Sequence, residues 1–314
     1  MHNILHFKQF YSIINNGFIL KLILEDRLGK DMEIVIGKTA GFCAGVNYAV
    51  KMAEENIKNE KIYCLGELVH NGQVINKLEK KGMITVDNIE KVPNNSKVIF
   101  RAHGEPEIIY KKAKEKGLEI IDLTCGRVKL IHDKVQKEKD KSFIIIVGKA
   151  KHPEVIGIKG FAGENSYIIE NEDDILDAYM KYEKNKTGRV FVVSQTTFSS
   201  EKFDKLRKEI ETNFIEADVI VDKTICDATE KRQKETREIA KDFHTMIIIG
   251  GKNSSNTREL VNVAKEECEN VYSIETAEEL KKIDFSNIDK VGIMAGASTP
   301  KESITEIEEF LKGV

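Results

Sequence analysis

The chain of 314 residues contains no tryptophan, only four prolines and no CxxC pair. Structural zinc usually draws on paired cysteines, so that arrangement has little to start from. The five cysteines are odd in number and widely spaced. This is not a disulfide framework, and it points to a reducing, cytoplasmic setting. No GxGxxG follows a strand-like run, and the GK pairs at Gly148–Lys149 and Gly251–Lys252 lack the upstream glycine of a P-loop. Nicotinamide or flavin binding therefore has no support, and any electrons must come from elsewhere. Charge is nearly balanced, 49 basic against 52 acidic residues for a net −3. Neither nucleic acid nor an anionic membrane is an expected partner.

Residues 1–31 are unlike the rest. They are rich in Ile and Leu, carry Phe7, Phe10, Tyr11 and Phe18, and have only Lys8 and Lys21 charged before Glu25. A membrane-surface helix and a signal segment are both readings of this stretch. Asn15, Asn16, Gly17 and Lys21 break it into pieces too short to span a bilayer, and no small-residue cleavage site follows. Met32 then opens MEIVIGKTAGFCAGV, an ordinary start for an α/β domain. The expectation is that Met32 is the natural initiator, that 1–31 is an N-terminal extension outside the native protein, and that there is no stable membrane association.

From there on, short β-branched runs alternate with longer amphipathic charged runs. The alternation predicts an α/β fold of parallel sheets covered by helices. A repeat divides it. Cys43 in GFCAGV, Cys125 in DLTCGRV and Cys226 in DKTICDAT each follow a β-like run and precede a helix-like one. Gly66, Gly148 and Gly250 follow at offsets of 23, 23 and 24 residues. His70, His152 and Ser254 come next, and a later turn holds His103, Thr196 and Ser298. Three modules are expected, 32–125, 126–222 and 223–314, with the C-terminal segment returning to the first. Meeting about a pseudo-threefold axis, they would bring three thiolates together. Three thiolates can hold a 4Fe–4S cluster and leave one iron open. A zinc site is the rival metal reading, and the plain alternative for any one cysteine is a small buried hydrophobe. That alternative is applied to Cys64 and Cys268.

The remaining candidates are polar turns at strand ends, where ligands of parallel sheets bind. His70, His103, His152, Ser254, Ser255, Asn256 and Ser298 supply hydrogen-bond donors beside predicted helix starts, which is the chemistry of an anion site. Ser or Asn at such places is also an ordinary helix cap. Glu154 is a carboxylate among them, suited to proton delivery if burial raises its pKa, and otherwise a solvated loop acid.

Taken together, GFCAGV, ELVHN, RAHG, HPEV, SQTT, TIC-x-AT-x-x-RQ, KNSSNT and AGAST resemble the 4-hydroxy-3-methylbut-2-enyl diphosphate reductase family, in order, from Met32 to about Leu311. The resemblance implies a trefoil of three α/β modules around a central 4Fe–4S cluster held by Cys43, Cys125 and Cys226. It implies a diphosphate bound by His70, His103, His152, Ser254, Ser255, Asn256 and Ser298, with Thr196 near the substrate hydroxyl and Glu154 as proton donor. The implied reaction removes an allylic hydroxyl as water with two electrons and two protons, giving isopentenyl and dimethylallyl diphosphate. A ferredoxin or flavodoxin would supply the electrons. Gly126-Arg127 after Cys125 departs from the family's usual Pro and apolar residue, which bears on the rigidity of that turn.

Two other readings carry different expectations. A quinolinate-synthase-like trefoil would keep the cluster but need arginines in the pocket for carboxylate substrates. A non-enzymatic binder of phosphate ligands would have cysteines that are merely buried.

Overall fold

A computed structural model describes residues 32–57 and 61–314. The extension expected over 1–31 lies outside the described residues. The described residues open with β1 (Glu33–Ile36). The chain then lays down β2 (Ile62–Leu65), β3 (Met83–Val86), β4 (Lys97–Phe100) and β5 (Glu119–Asp122) as one sheet. A second sheet holds β6 (Phe143–Val147), β7 (Ser166–Ile169), β8 (Arg189–Ser194) and β9 (Asp218–Val221). β10 (Thr245–Ile249), β11 (Asn270–Ile274) and β12 (Lys290–Ala295) make most of the third. The strand orders are β3-β2-β4-β5, β7-β6-β8-β9 and β11-β10-β12-β1, and every pairing is parallel. The inner strands FIIIV and TMIII are buried at every position, as parallel strands covered on both faces must be.

These orders correct one expectation. Expected in the first module, Glu33–Ile36 lies instead in the third sheet, where Glu33 pairs with Lys290 and Ile36 with Ile293. It fills the place that β5 and β9 fill in the other sheets, and it covers an edge of β12 that would otherwise expose unpaired backbone groups. Two elements were not legible beforehand, the strand Met83–Val86 and the helix Pro153–Ala162.

Each sheet reverses direction of winding between its first and third strands, a switch point where loops part and leave a crevice. The loops after β2 and β4, after β6 and β8, and after β10 and β12 all open there. The loops after β5, β9 and β1 carry the three repeated cysteines. Helices begin directly beyond them, at Ala44–Ile57, Gly126–Glu138 and Asp227–Asp242.

Gly126, the first residue of its helix, has no steric reason to be glycine, since a Cβ there would meet nothing within 4 Å. Gly126→Ala is expected to stabilise the protein by about 0.5–1 kcal/mol through the unfolded chain's lost freedom. The check is the thermal midpoint of the metal-free protein, which should rise by a few degrees.

Candidate functional site

The backbone delivers the three cysteines in one register. The N–H of Cys43 donates to Ala297 O at 3.2 Å, that of Cys125 to Ala102 O at 3.0 Å and that of Cys226 to Thr196 O at 3.0 Å. Each acceptor lies just beyond the third strand of a sheet, so the bonds obey the threefold repeat. All three thiols are half-buried, unpaired and line one cavity. Burial raises the Cys125 thiol, and the neighbouring Cys43 and Cys226 push the same way, against the lowering effect of N–H groups at Arg127 and Val128. The Val46 N–H similarly reaches Cys43 Sγ at 3.5 Å. Helix N-terminal N–H groups thus approach the sulfurs of Cys43 and Cys125. A Cβ on Gly45 would sit 2.7 Å from Cys125 Sγ, so that approach of helix to sulfur requires glycine. Cys64 and Cys268 are buried elsewhere, and burial pushes Cys64 up to about 12.

Strand pairing also adjusts the repeat. Leu65 is opposite Phe100, Val147 opposite Ser194, and Ile249 opposite Ala295. Counting on, Thr197 rather than Thr196 is level with His103 and Ser298. Thr196 is level with Ala102 and Ala297, and the three turns have the same length here.

The opposite wall of the cavity is polar. His70, His103 and His152 converge, with ring centroids 4.4, 5.7 and 5.4 Å apart. One nitrogen from each lies within 4.8 Å of the others, so two rings can meet one anion at once. Burial lowers all three pKa values, opposed at His70 by Glu67; His103 falls well below its ordinary value and His152 to about 3. The rings are therefore neutral N–H donors near pH 7. His152 and Ser254 cap the helices Pro153–Ala162 and Ser255–Glu267, accepting from Glu154 N and Thr257 N at 3.2 Å each. Asn71, next to His70, does the same for Gly72–Lys80. The cap reading of these turns is thus realised, and three helix N-termini open on the same space.

Ser255, Asn256 and Ser298 complete this wall. Ser255 accepts from Gln195 Nε2 at 3.2 Å, and Ser298 donates to His70 O at 3.0 Å. Asn256 is buried, yet neither its Oδ1 nor its Nδ2 has a partner; His70 Nε2 and His103 Nδ1 are orphaned too. Native proteins seldom bury such groups without a use for them. Because Asn256 makes no internal bond, Asn256→Ala should leave thermal stability nearly unchanged and weaken binding of a diphosphate ligand by about 10-fold or more. Calorimetric titration with inorganic diphosphate measures this.

Glu154 stands between the two walls. It is fully buried, and burial raises its pKa to about 7, although hydrogen bonds from Thr196 pull the other way. Thr196 N–H donates to Oε1 at 2.6 Å and Thr196 Oγ1 donates to Oε2 at 2.8 Å. The result is a carboxyl that can carry or release a proton near neutrality.

All the candidate site residues line this single cavity. Residues without an assigned role join them. Thr197 lies beside Thr196, and apolar Val46, Val69 and Val128 surround the thiol end. Arg232 is buried there, and its place in the TIC-x-AT-x-x-RQ motif was the only advance signal. Arg127 also lines the cavity but pairs with Asp227 at 2.8 Å, and Arg101 pairs with Glu105 at 2.8 Å. Arg127 and Arg101 are engaged by acids of the chain itself, and Arg232 by the carbonyls of Gly41 and Ala228.

Among the described residues no helix is long and apolar enough to cross a membrane. The sequence model of the LytB protein family matches residues 34–312. The chain is 42% identical over 286 residues to a 4-hydroxy-3-methylbut-2-enyl diphosphate reductase of Clostridioides difficile, covering 90% of this chain and 100% of the relative. It is 40% identical over 289 residues to the enzyme of the same name from Aquifex aeolicus, covering 90% and 97%. Among solved structures, the E-1-hydroxy-2-methyl-but-2-enyl-4-diphosphate reductase of Plasmodium falciparum superposes with a TM-score of 0.81 at 31% identity, over 90% of this chain and 87% of that one. An (E)-4-hydroxy-3-methyl-but-2-enyl diphosphate reductase, described as the terminal enzyme of the non-mevalonate pathway, superposes with a TM-score of 0.65 at 39% identity, over 90% and 100%. With nearly all of its described length matched, the chain belongs to the LytB family.

Proposed function

We propose that this protein is a 4-hydroxy-3-methylbut-2-enyl diphosphate reductase, which converts that allylic alcohol diphosphate to isopentenyl and dimethylallyl diphosphate. The observation that carries this reading is the division of one cavity into a thiol end and a donor-rich end, with Glu154 between them. The residues fit a 4Fe–4S group. Three unpaired thiols reach the cavity from three equivalent loops, and no fourth cysteine approaches among the described residues. When bound, such a cluster supplies electrons and an open iron as Lewis acid.

The chain's own residues do the rest. His70, His103, His152, Ser254, Ser255, Asn256 and Ser298 bind the diphosphate, whose charge the orphaned donors and helix N-termini meet. Anchoring that tail fixes the hydroxyl end against the thiol wall, so binding remote from the reaction contributes to its rate. Val46, Val69 and Val128 exclude water from the hydrocarbon part. Thr196 orients both carboxyl oxygens of Glu154, and Glu154 delivers a proton to the departing hydroxyl. The balance is two electrons and two protons taken up, one water released. No nucleotide-binding fingerprint exists in the chain, which supports a ferredoxin or flavodoxin as donor. Five unpaired cysteines support a reducing cytoplasm as its location.

Anaerobic purification, iron and sulfide counts, and assay with reduced viologen and the hydroxylated diphosphate test the proposal. Four irons and four sulfides per chain with formation of both products are expected. A carefully anaerobic, iron-free protein, or a loaded protein inert toward this substrate, overturns it.

A further inference from the structure

Arg232 is a buried cation with no carboxylate in ion-pair distance among the described residues. It sits on the helix Asp227–Asp242 that starts just after Cys226, and only 3% of it is exposed. Its Nη2 donates to Gly41 O at 2.8 Å and its Nη1 to Ala228 O at 3.1 Å. Gly41 lies two residues before Cys43 and Ala228 two residues after Cys226. One guanidinium therefore ties together the two segments that carry these thiols. Its Nε is buried without a partner, and the side chain lines the cavity.

A guanidinium held out of water is strongly unfavourable unless an anion compensates it. Among the described residues its hydrogen bonds go to carbonyl oxygens alone, and no carboxylate lies within ion-pair distance. The acid on its own helix whose charge it feels, Glu235, accepts hydrogen bonds from the N–H groups of Lys38 at 2.7 Å and Thr39 at 2.8 Å. The groups whose negative charge Arg232 feels most are Cys43 and Cys226. The missing anion is therefore on the cavity side, where the thiolates and whatever they hold would be.

We propose that Arg232 is a positioning residue whose fixed positive charge, clamped between the Cys43 and Cys226 segments, raises the reduction potential of the cluster those thiols bind. This rests on the reading that Cys43, Cys125 and Cys226 hold a cluster. One electron from the ferredoxin-class donor adds one negative charge to the group. A fixed cation at short range in a poorly hydrated site favours the reduced state, so the electron is easier to accept. The planar fork suits the task, because it bonds two carbonyls while its charge cannot be lost by deprotonation.

The test compares wild-type protein with Arg232→Gln and Arg232→Lys, all anaerobic and loaded. Midpoints are read from a redox titration followed by electron paramagnetic resonance, alongside iron counts. Arg232→Gln should titrate at a more negative potential, and Arg232→Lys close to wild type. Full iron with an unchanged midpoint in Arg232→Gln overturns the proposal. Should Arg232→Gln not retain iron, Arg232→Lys decides: iron held there supports the charge role. Iron lost there, with native circular dichroism in the metal-free protein, overturns it. Wild-type protein that takes up no iron counts against the cluster itself, a separate failure visible before any variant is compared.

Discussion

Glu154→Gln is expected to lower turnover by roughly 10²–10⁴-fold, the usual worth of a positioned general acid, while iron content stays at the wild-type level. Glutamine keeps the shape of the side chain: its amide oxygen can accept from Thr196 N–H while its NH2 donates to Thr196 Oγ1. It cannot give up a proton. The pH dependence sharpens the expectation. Burial raises the Glu154 carboxyl to about 7, so the proton-bearing form dominates below that pH. Wild-type turnover should fall as pH rises through about 7, and the residual activity of Glu154→Gln should lose that limb. Stability follows the same sign. A carboxyl whose pKa is raised by folding contributes most below its unfolded pKa, and the contribution is lost as pH rises through about 7. Full turnover in Glu154→Gln would remove Glu154 from proton delivery and leave Thr196 as the nearest hydroxyl to consider.

Replacing any one of Cys43, Cys125 or Cys226 by Ser should abolish activity and lower bound iron by at least several-fold. The expected loss is equal at the three positions, because each is delivered by the same bond to a neighbouring strand end. Cys64→Ser and Cys268→Ala serve as contrasts and should retain full iron, since both thiols are buried away from the cavity. Iron counts on anaerobic protein distinguish this pattern from nonspecific loss. Full iron in Cys125→Ser would point to a different set of ligands.

Much of this site was legible because it is built from repeated local signals. A β-branched run followed by Cys, or by a polar turn, marks the carboxyl end of a parallel strand. Three such series in register point to one place. The limits were nonlocal. Nothing in MEIVIG says that its partner is β12 rather than β2, since parallel pairing joins distant segments. The slip between Thr196 and Thr197 arose because two threonines stand side by side in SQTT, and only the ladder reveals which is in register. The helix Pro153–Ala162 was hidden by Gly157, Gly160 and its β-branched residues, which lower helix propensity. Tertiary packing demands those glycines. A Cβ at position 160 would lie 2.3 Å from Pro106 Cβ, and one at 157 would lie 3.2 Å from His132 Nε2. Arg232 stood in a recognised motif, but a charge lacking an acid is visible only once its surroundings are known.

The pairing of β1 with β12 also bears on biogenesis. Cys43 is held by the carbonyl of Ala297, so a thiol carried just after β1 is fixed in place by residues that follow β12. A nascent chain can complete its first two sheets in order, but the third must wait for β12. The three thiols therefore share one wall only once β12 has been made. An arrest of synthesis just before residue 290 would leave Cys125 and Cys226 with their anchors at Ala102 and Thr196 but Cys43 without its own, a thiol-bearing intermediate for cellular quality control to recognise.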